Sequence, residues 1–69
     1  RNEKLLKKFG KNLQRIRKAK GMTQEYLAEE AKISQIQVAR LESGKLNTSI
    51  STLVAIAKAL GASTDEFFA

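Results

Sequence analysis

Cysteine, histidine, proline and tryptophan are all absent from this 69-residue chain, and aromatic residues make up only 6% of it. Without cysteine, neither a disulfide nor a thiolate zinc site can staple the fold. Without histidine, the commonest general base and metal ligand is missing. No apolar run approaches the roughly 20 residues of a membrane span, and nothing resembles a signal peptide. No cofactor or metal is therefore expected, and the cytosol is the expected compartment. A chain this short has room for one modest core. We expect a single domain over residues 1–69, and a domain of this size without staples often leans on a partner subunit.

What is present is charge, and it is unevenly placed. The net charge is +6, yet residues 1–20 hold nine Lys/Arg against one Glu, whereas residues 21–69 hold four against six. Such asymmetry invites a polyanion, nucleic acid first and anionic lipid second.

Hydrophobic periodicity predicts five helical segments, with no strand-like alternation and no internal repeat. In the first, roughly Glu3 to Lys20, Leu5, Leu6, Phe9, Leu13 and Ile16 share one face. Lys7, Lys8, Lys11, Arg15 and Lys18 share the opposite one, with Arg17 at the border of the apolar stripe. Gly21 ends this helix. Thr23 can cap a second running to about Ala31, with Met22 and Leu27 as a staple pair. Ser34 caps a third, which Gln37 completes as a capping box and which stops at Gly44. Ser51 can cap a fourth, built on Leu53, Ile56, Ala57 and Leu60 and ended by Gly61. Ser63 with Glu66 forms a second capping box for a short last turn carrying Phe67 and Phe68.

The second and third segments are separated only by Lys32 and Ile33. So tight a link sets two short helices at a steep angle, a helix-turn-helix spanning about residues 23–43. Leu27, Ala28, Ala31, Ile33, Val38 and Leu41 supply its interior. The outward face of the third helix is then Ile36, Ala39, Arg40 and Ser43, flanked by Gln35 and Gln37. An isoleucine held toward water on a short helix is the odd member of that set.

From about Phe9 to Phe68 the chain resembles the phage repressor and Cro-like family, also called the xenobiotic-response-element family. The likeness rests on Arg17, on KGMTQEYLA at the start of the second helix, and on the I-S-x-x-x-V-x-x-L-E-x-G frame of the third. IAKALG in the fourth adds to it. Length and the Asn47-Thr48-Ser49 loop are similar, more narrowly, to controller regulators of restriction–modification systems. The resemblance implies an all-α, five-helix bundle of the lambda-repressor-like type with its third helix in the major groove. Gln35 would bond adenine, Arg40 guanine or a phosphate, and Ile36 with Ala39 would pack on a thymine methyl. Gln24 matches the family's backbone-clamping glutamine. It would hold the DNA backbone with Thr23, Gln37, Ser43, Lys45, Asn47 and Thr48. The lysine face of the first helix reads as solvated surface that steers DNA at long range.

The family commonly pairs an arginine and a glutamate at the places of Arg17 and Glu42, so a partly buried ion pair is expected. It usually has glycine where this chain has Lys32, because the turn there adopts positive φ. Its dimer surface commonly lies in the C-terminal half, which implicates Ile50, Val54 and Phe68 in a two-fold interface.

Other classes fit less well. Glu25, Glu29 and Glu30 are spaced as a solvated face, and Asp65 and Glu66 suit a helix N-terminus better than a metal site, so no enzyme is expected. An interfacial amphipathic helix over residues 4–20 would need the apolar face that covers the core. An antitoxin-like protein-binding module on the same fold is the serious alternative. The reading is a homodimeric transcriptional regulator, prokaryotic or phage, that binds double-stranded DNA sequence-specifically at an inverted-repeat operator and is cytoplasmic, associated with the nucleoid through its DNA.

Overall fold

Among the described residues, every helix begins on a side-chain oxygen. In the computed structural model, which describes residues 2–69, the order is α1 (Glu3–Ala19), α2 (Gln24–Ala31), α3 (Gln35–Glu42), α4 (Ile50–Leu60) and a 3-10 helix (Thr64–Phe68). Arg1, the first residue of the expected domain, lies outside the described residues. Asn2, Thr23, Ser34, Ser49 and Ser63 are the N-caps, each accepting a bond from a backbone N–H of the first turn. Such bonds satisfy donors that no helix can pair internally. Both predicted capping boxes form: Ser34 N–H donates to Gln37 Oε1 (2.9 Å) and Ser63 N–H to Glu66 Oε2 (2.8 Å).

Three expectations need correction. The cap of α4 is Ser49, whose Oγ accepts the Thr52 N–H at 3.2 Å, not Ser51. Ser49 has the extended backbone that a cap requires (φ −77°, ψ 161°), and Ser51 falls inside the first turn. The fifth element is 3-10 rather than α: over five residues an α-helical ladder leaves almost every group unpaired, and tighter i→i+3 closure suits it better. Leu5 is exposed, although Leu6, Phe9, Leu13 and Ile16 are buried as the periodicity requires.

The four α-helices end alike. After α1, Met22 N–H donates to Arg17 O and Gly21 N–H to Lys18 O; after α3, Lys45 donates to Arg40 O and Gly44 to Leu41 O. The pattern repeats after α4 at Ala62 and Gly61, and after α2 at Ile33 and Lys32. This paired closure needs one left-handed residue, which is glycine at positions 21, 44 and 61 and Lys32 (φ 60°) at the turn of the helix-turn-helix.

The core draws on all five elements. Leu13, Leu27, Val38, Leu41, Ile56 and Phe67 are fully buried, and the Phe9 and Phe67 rings meet at 5.5 Å. α1 packs on α3 and on the 3-10 helix, while α2 lies against both α3 and α4. α1 and α3 approach through backbone: a Cβ at Gly10 would stand 2.4 Å from Leu41 O and 2.6 Å from Glu42 O. Asn12 ties the last element down by donating to Phe67 O at 2.9 Å.

Two substitutions test this account in opposite directions. Lys32→Gly removes the Cβ strain of a left-handed residue and should stabilise the domain by about 1 kcal/mol, raising Tm by about 4–8 °C. Gly10→Ala should lower Tm, because a methyl driven against the α3 backbone costs about 1–3 kcal/mol or more. Thermal melts followed by circular dichroism read both, and a Lys32→Gly variant that melts lower than the parent would contradict the strain.

Candidate nucleic-acid interface

α3 is too short to be stable by itself, since isolated helices of fewer than about 12 residues are marginal in water. It is held from beneath. Val38 and Leu41 are buried, and so is its last residue, Glu42. The opposite side is open: Gln35, Ile36, Gln37, Ala39, Arg40 and Ser43 are all exposed. Ile36 is 67% exposed, set about 200° around the helix from the fully buried Val38.

The hold on α3 is a hydrogen-bonded ion pair with Arg17 of α1. Arg17 Nε meets Glu42 Oε2 at 2.5 Å and Arg17 Nη2 meets Oε1 at 3.1 Å, a bidentate fork with the two side chains 8% and 3% exposed. The third guanidinium nitrogen, Nη1, donates to Met22 O (2.7 Å), in the turn that leads into α2. Gln24, the first residue of α2, donates through Nε2 to Glu42 Oε1 at 3.0 Å. One carboxylate therefore joins α1, the start of α2 and the end of α3. Among the described residues, no buried side-chain nitrogen or oxygen lacks a partner.

This arrangement has an electrostatic consequence. Glu42 is the sole carboxylate between Lys32 and Ile50. Buried and matched by Arg17, it presents no negative charge on the α3 face, where Arg40 stands exposed.

Several expected backbone contacts already serve local structure. Thr23 Oγ1 accepts the Tyr26 N–H (3.0 Å), and Gln37 Oε1 accepts the Ser34 N–H (2.9 Å), leaving its Nε2 as donor. Ser43 Oγ donates to Arg40 O (3.1 Å), and Asn47 Oδ1 accepts the Thr48 N–H (2.8 Å). Lys45 and Asn47 are exposed and Thr48 half-buried in the loop after α3. The Gln24–Glu42 bond has no precursor in the sequence: the two residues lie 18 apart, and no local pattern links them.

Ile50 and Phe68 meet on another part of the surface, and Val54 lies one turn along α4 from Ile50. Ile50 is 81% exposed, Val54 and Phe68 are each about half that, and the Phe68 ring also packs on Phe9 at 5.7 Å. Phe68 is thus divided between the core and the surface. Ile50 and Phe68 line an apolar pit of about 140 Å³ together with Leu5, Leu6, Phe9, Leu53 and the Asn47–Ser49 loop.

Comparison with known proteins agrees with this geometry. The family model described as helix-turn-helix matches residues 13–67. The immunity repressor protein of Bacillus phage phi105 is 44% identical over 52 residues, 75% of this chain and 36% of the repressor. The chain thus spans about a third of that relative's length. The HTH-type transcriptional regulator y4dJ of Sinorhizobium fredii is 40% identical over 57 residues, 83% of this chain and 74% of the relative. The crystal structure of the restriction–modification controller protein C.AhdI from Aeromonas hydrophila matches with a TM-score of 0.89 at 36% identity, covering 91% of this chain and 96% of that one.

The network makes a direct prediction about stability. Arg17→Met leaves Glu42 buried and unpaired and should cost about 3–5 kcal/mol, against a total stability of about 3–10 kcal/mol for a chain of this length. A paired replacement, Arg17→Met with Glu42→Leu, should lose less than the two single changes added together. Strict additivity in a double-mutant cycle of denaturant melts would show that the two charges do not depend on each other.

Proposed function

The chain belongs to the helix-turn-helix family of DNA-binding transcriptional regulators of the Cro and xenobiotic-response-element type, and from that premise we propose that two copies read an inverted repeat in double-stranded DNA. The observation that carries this reading is the exposed face of α3, freed of negative charge by burial of Glu42. α3 enters the major groove. Gln35, at its first turn, bonds adenine; Arg40, a turn later, bonds guanine or a phosphate. Ile36 packs on a thymine methyl with Ala39 beside it, which accounts for an isoleucine 67% exposed.

Phosphates are held on both sides of that helix. Gln24, oriented by Glu42, and the N-terminus of α2 at Thr23 hold one stretch of backbone. Gln37, Ser43, Lys45, Asn47 and Thr48 hold the next. These contacts fix register and supply affinity, while the base-facing residues supply choice.

Dimerisation uses Ile50, Val54 and Phe68, apolar and exposed on elements that carry none of the DNA-facing residues. The domain measures 28 × 22 × 20 Å, so two copies side by side can set their recognition helices the roughly 34 Å apart that successive major grooves require.

Selection from a random duplex pool at about 0.15 M salt should enrich an inverted repeat with half-site centres about 10 bp apart. Repeating the selection with Ile36→Ala should relax a thymine position and weaken binding by about 1–3 kcal/mol. An unchanged preference would remove Ile36 from the base-reading set. Sedimentation over a dilution series should show a dimer at micromolar concentration that Ile50→Ser converts to monomer; monomer throughout would count against the two-fold assembly.

A further inference from the structure

Six large apolar side chains are exposed among the described residues, and three of them, Leu5, Ile50 and Phe68, line one pit. Apolar side chains scattered singly over a surface need no explanation, but half of the set gathered at one opening does. Neither the core nor the DNA reading uses Leu5, which stands exposed in the first turn of α1.

The size of the pit narrows what can fill it. Its volume of about 140 Å³ is close to that of an apolar cavity of about 150 Å³ that admits one benzene ring. It therefore takes one side chain, not a helix or a strand. Six of its nine lining residues are apolar, which calls for a hydrocarbon group.

A matching knob stands at the opening itself. Ile50, the most exposed of the six, is the first residue of α4, and a β-branched side chain has little rotamer freedom to lose on burial. Knob and pit share one face, so that face is self-complementary. A two-fold axis passing between them puts Ile50 of each copy into the pit of the other.

The area a dimer needs points the same way. A stable interface takes about 800 Å² from each partner. Ile50, Val54 and Phe68 are 81%, 40% and 40% exposed, and supply at most about 400 Å² even if each were as large as the biggest aromatic. The remainder has to come from their surroundings, which include Leu5 and the pit.

We infer that the pit is a socket for Ile50 of a second copy, and that Leu5 packs on the inserted side chain, joining α1 of one copy to α4 of the other. The inference rests on the homodimer proposed above and adds its register and a further interface residue. The Asn47–Ser49 loop lines the same pit. The inserted isoleucine thus bears on the loop that the DNA reading assigns to phosphate.

Two measurements test this. Sedimentation of Leu5→Ser over a dilution series should show dimerisation weakened about 10-fold or more, since each copy loses an apolar contact made on association. Its circular dichroism spectrum should match the parent's, because Leu5 lies outside the core. The chain has no cysteine of its own, so Leu5→Cys chains can be mixed with size-tagged Ile50→Cys chains under mild oxidation. A disulfide joining the two kinds of chain is expected on a non-reducing gel. Dimerisation of Leu5→Ser equal to the parent's would overturn the inference, as would absence of that disulfide. Loss of the dimer in Ile50→Ser would still uphold the two-fold assembly in either case. A parent that is monomeric throughout would overturn both readings, and its own sedimentation reports that separately. A monomeric parent that lights up the apolar dye anilinonaphthalene sulfonate, with the signal lost in Leu5→Ser, would assign the pit to a small apolar ligand instead.

Discussion

The carboxylate of Glu42 is the constraint on which the rest of this small domain depends. α3 has eight residues, one exposed face and two fully buried apolar side chains. Hydrophobic contact alone would leave it free to roll or slide by a fraction of a turn, since apolar packing is non-directional. A bidentate arginine fork is directional. By taking two bonds from Arg17 and one from Gln24, Glu42 fixes the rotation of α3 against α1 and the position of the α2 N-terminus against α3. Gly10 works to the same end, letting the α1 backbone reach the carbonyls at the end of α3.

A buried ion pair contributes little net stability compared with a well-packed apolar pair. Its value here lies in specifying one arrangement. On the proposed function, the first residue of α2 holds a phosphate and the first turn of α3 meets base edges, so an error in their relative placement would misregister every contact. The same three bonds that lock this geometry keep the one carboxylate of the segment away from the DNA. Orientation and charge removal are two results of one burial.

Much of this is legible in the sequence because its signals are local. The Ser34–Gln37 and Ser63–Glu66 boxes, the two-residue link at Lys32-Ile33 and the spacing of Val38 and Leu41 each follow from residues within a turn of one another. The errors arise where local signals are degenerate. Ser49 and Ser51 are both competent caps, and only the path of the Asn47–Thr48 turn decides between them. Leu5 and Leu6 both fit the apolar stripe of α1, and only what packs near the chain start decides which is covered. Gln24 reads as a clamp for phosphate, but its tie to Glu42 depends on tertiary placement that no spacing reveals. Lys32 shows the reverse case: a residue that violates the turn's preference adopts the left-handed conformation anyway, because the two bonds closing α2 and the burial of its neighbours outweigh a strain of about 1 kcal/mol.

The distribution of charge follows from the same division of labour. The exposed face of α3 between Gln35 and Ser43 carries one cation, Arg40, and is otherwise amide, methyl and hydroxyl. On the proposed function, such groups discriminate between bases through hydrogen bonds and methyl contacts. Positive charge is concentrated instead in the first 20 residues, which hold nine of the thirteen Lys/Arg, seven of them in α1. The two helices are nevertheless joined, because Arg17 at the end of α1 holds Glu42 at the end of α3. On the proposed function, this one ion pair sets the angle at which α3 meets the groove.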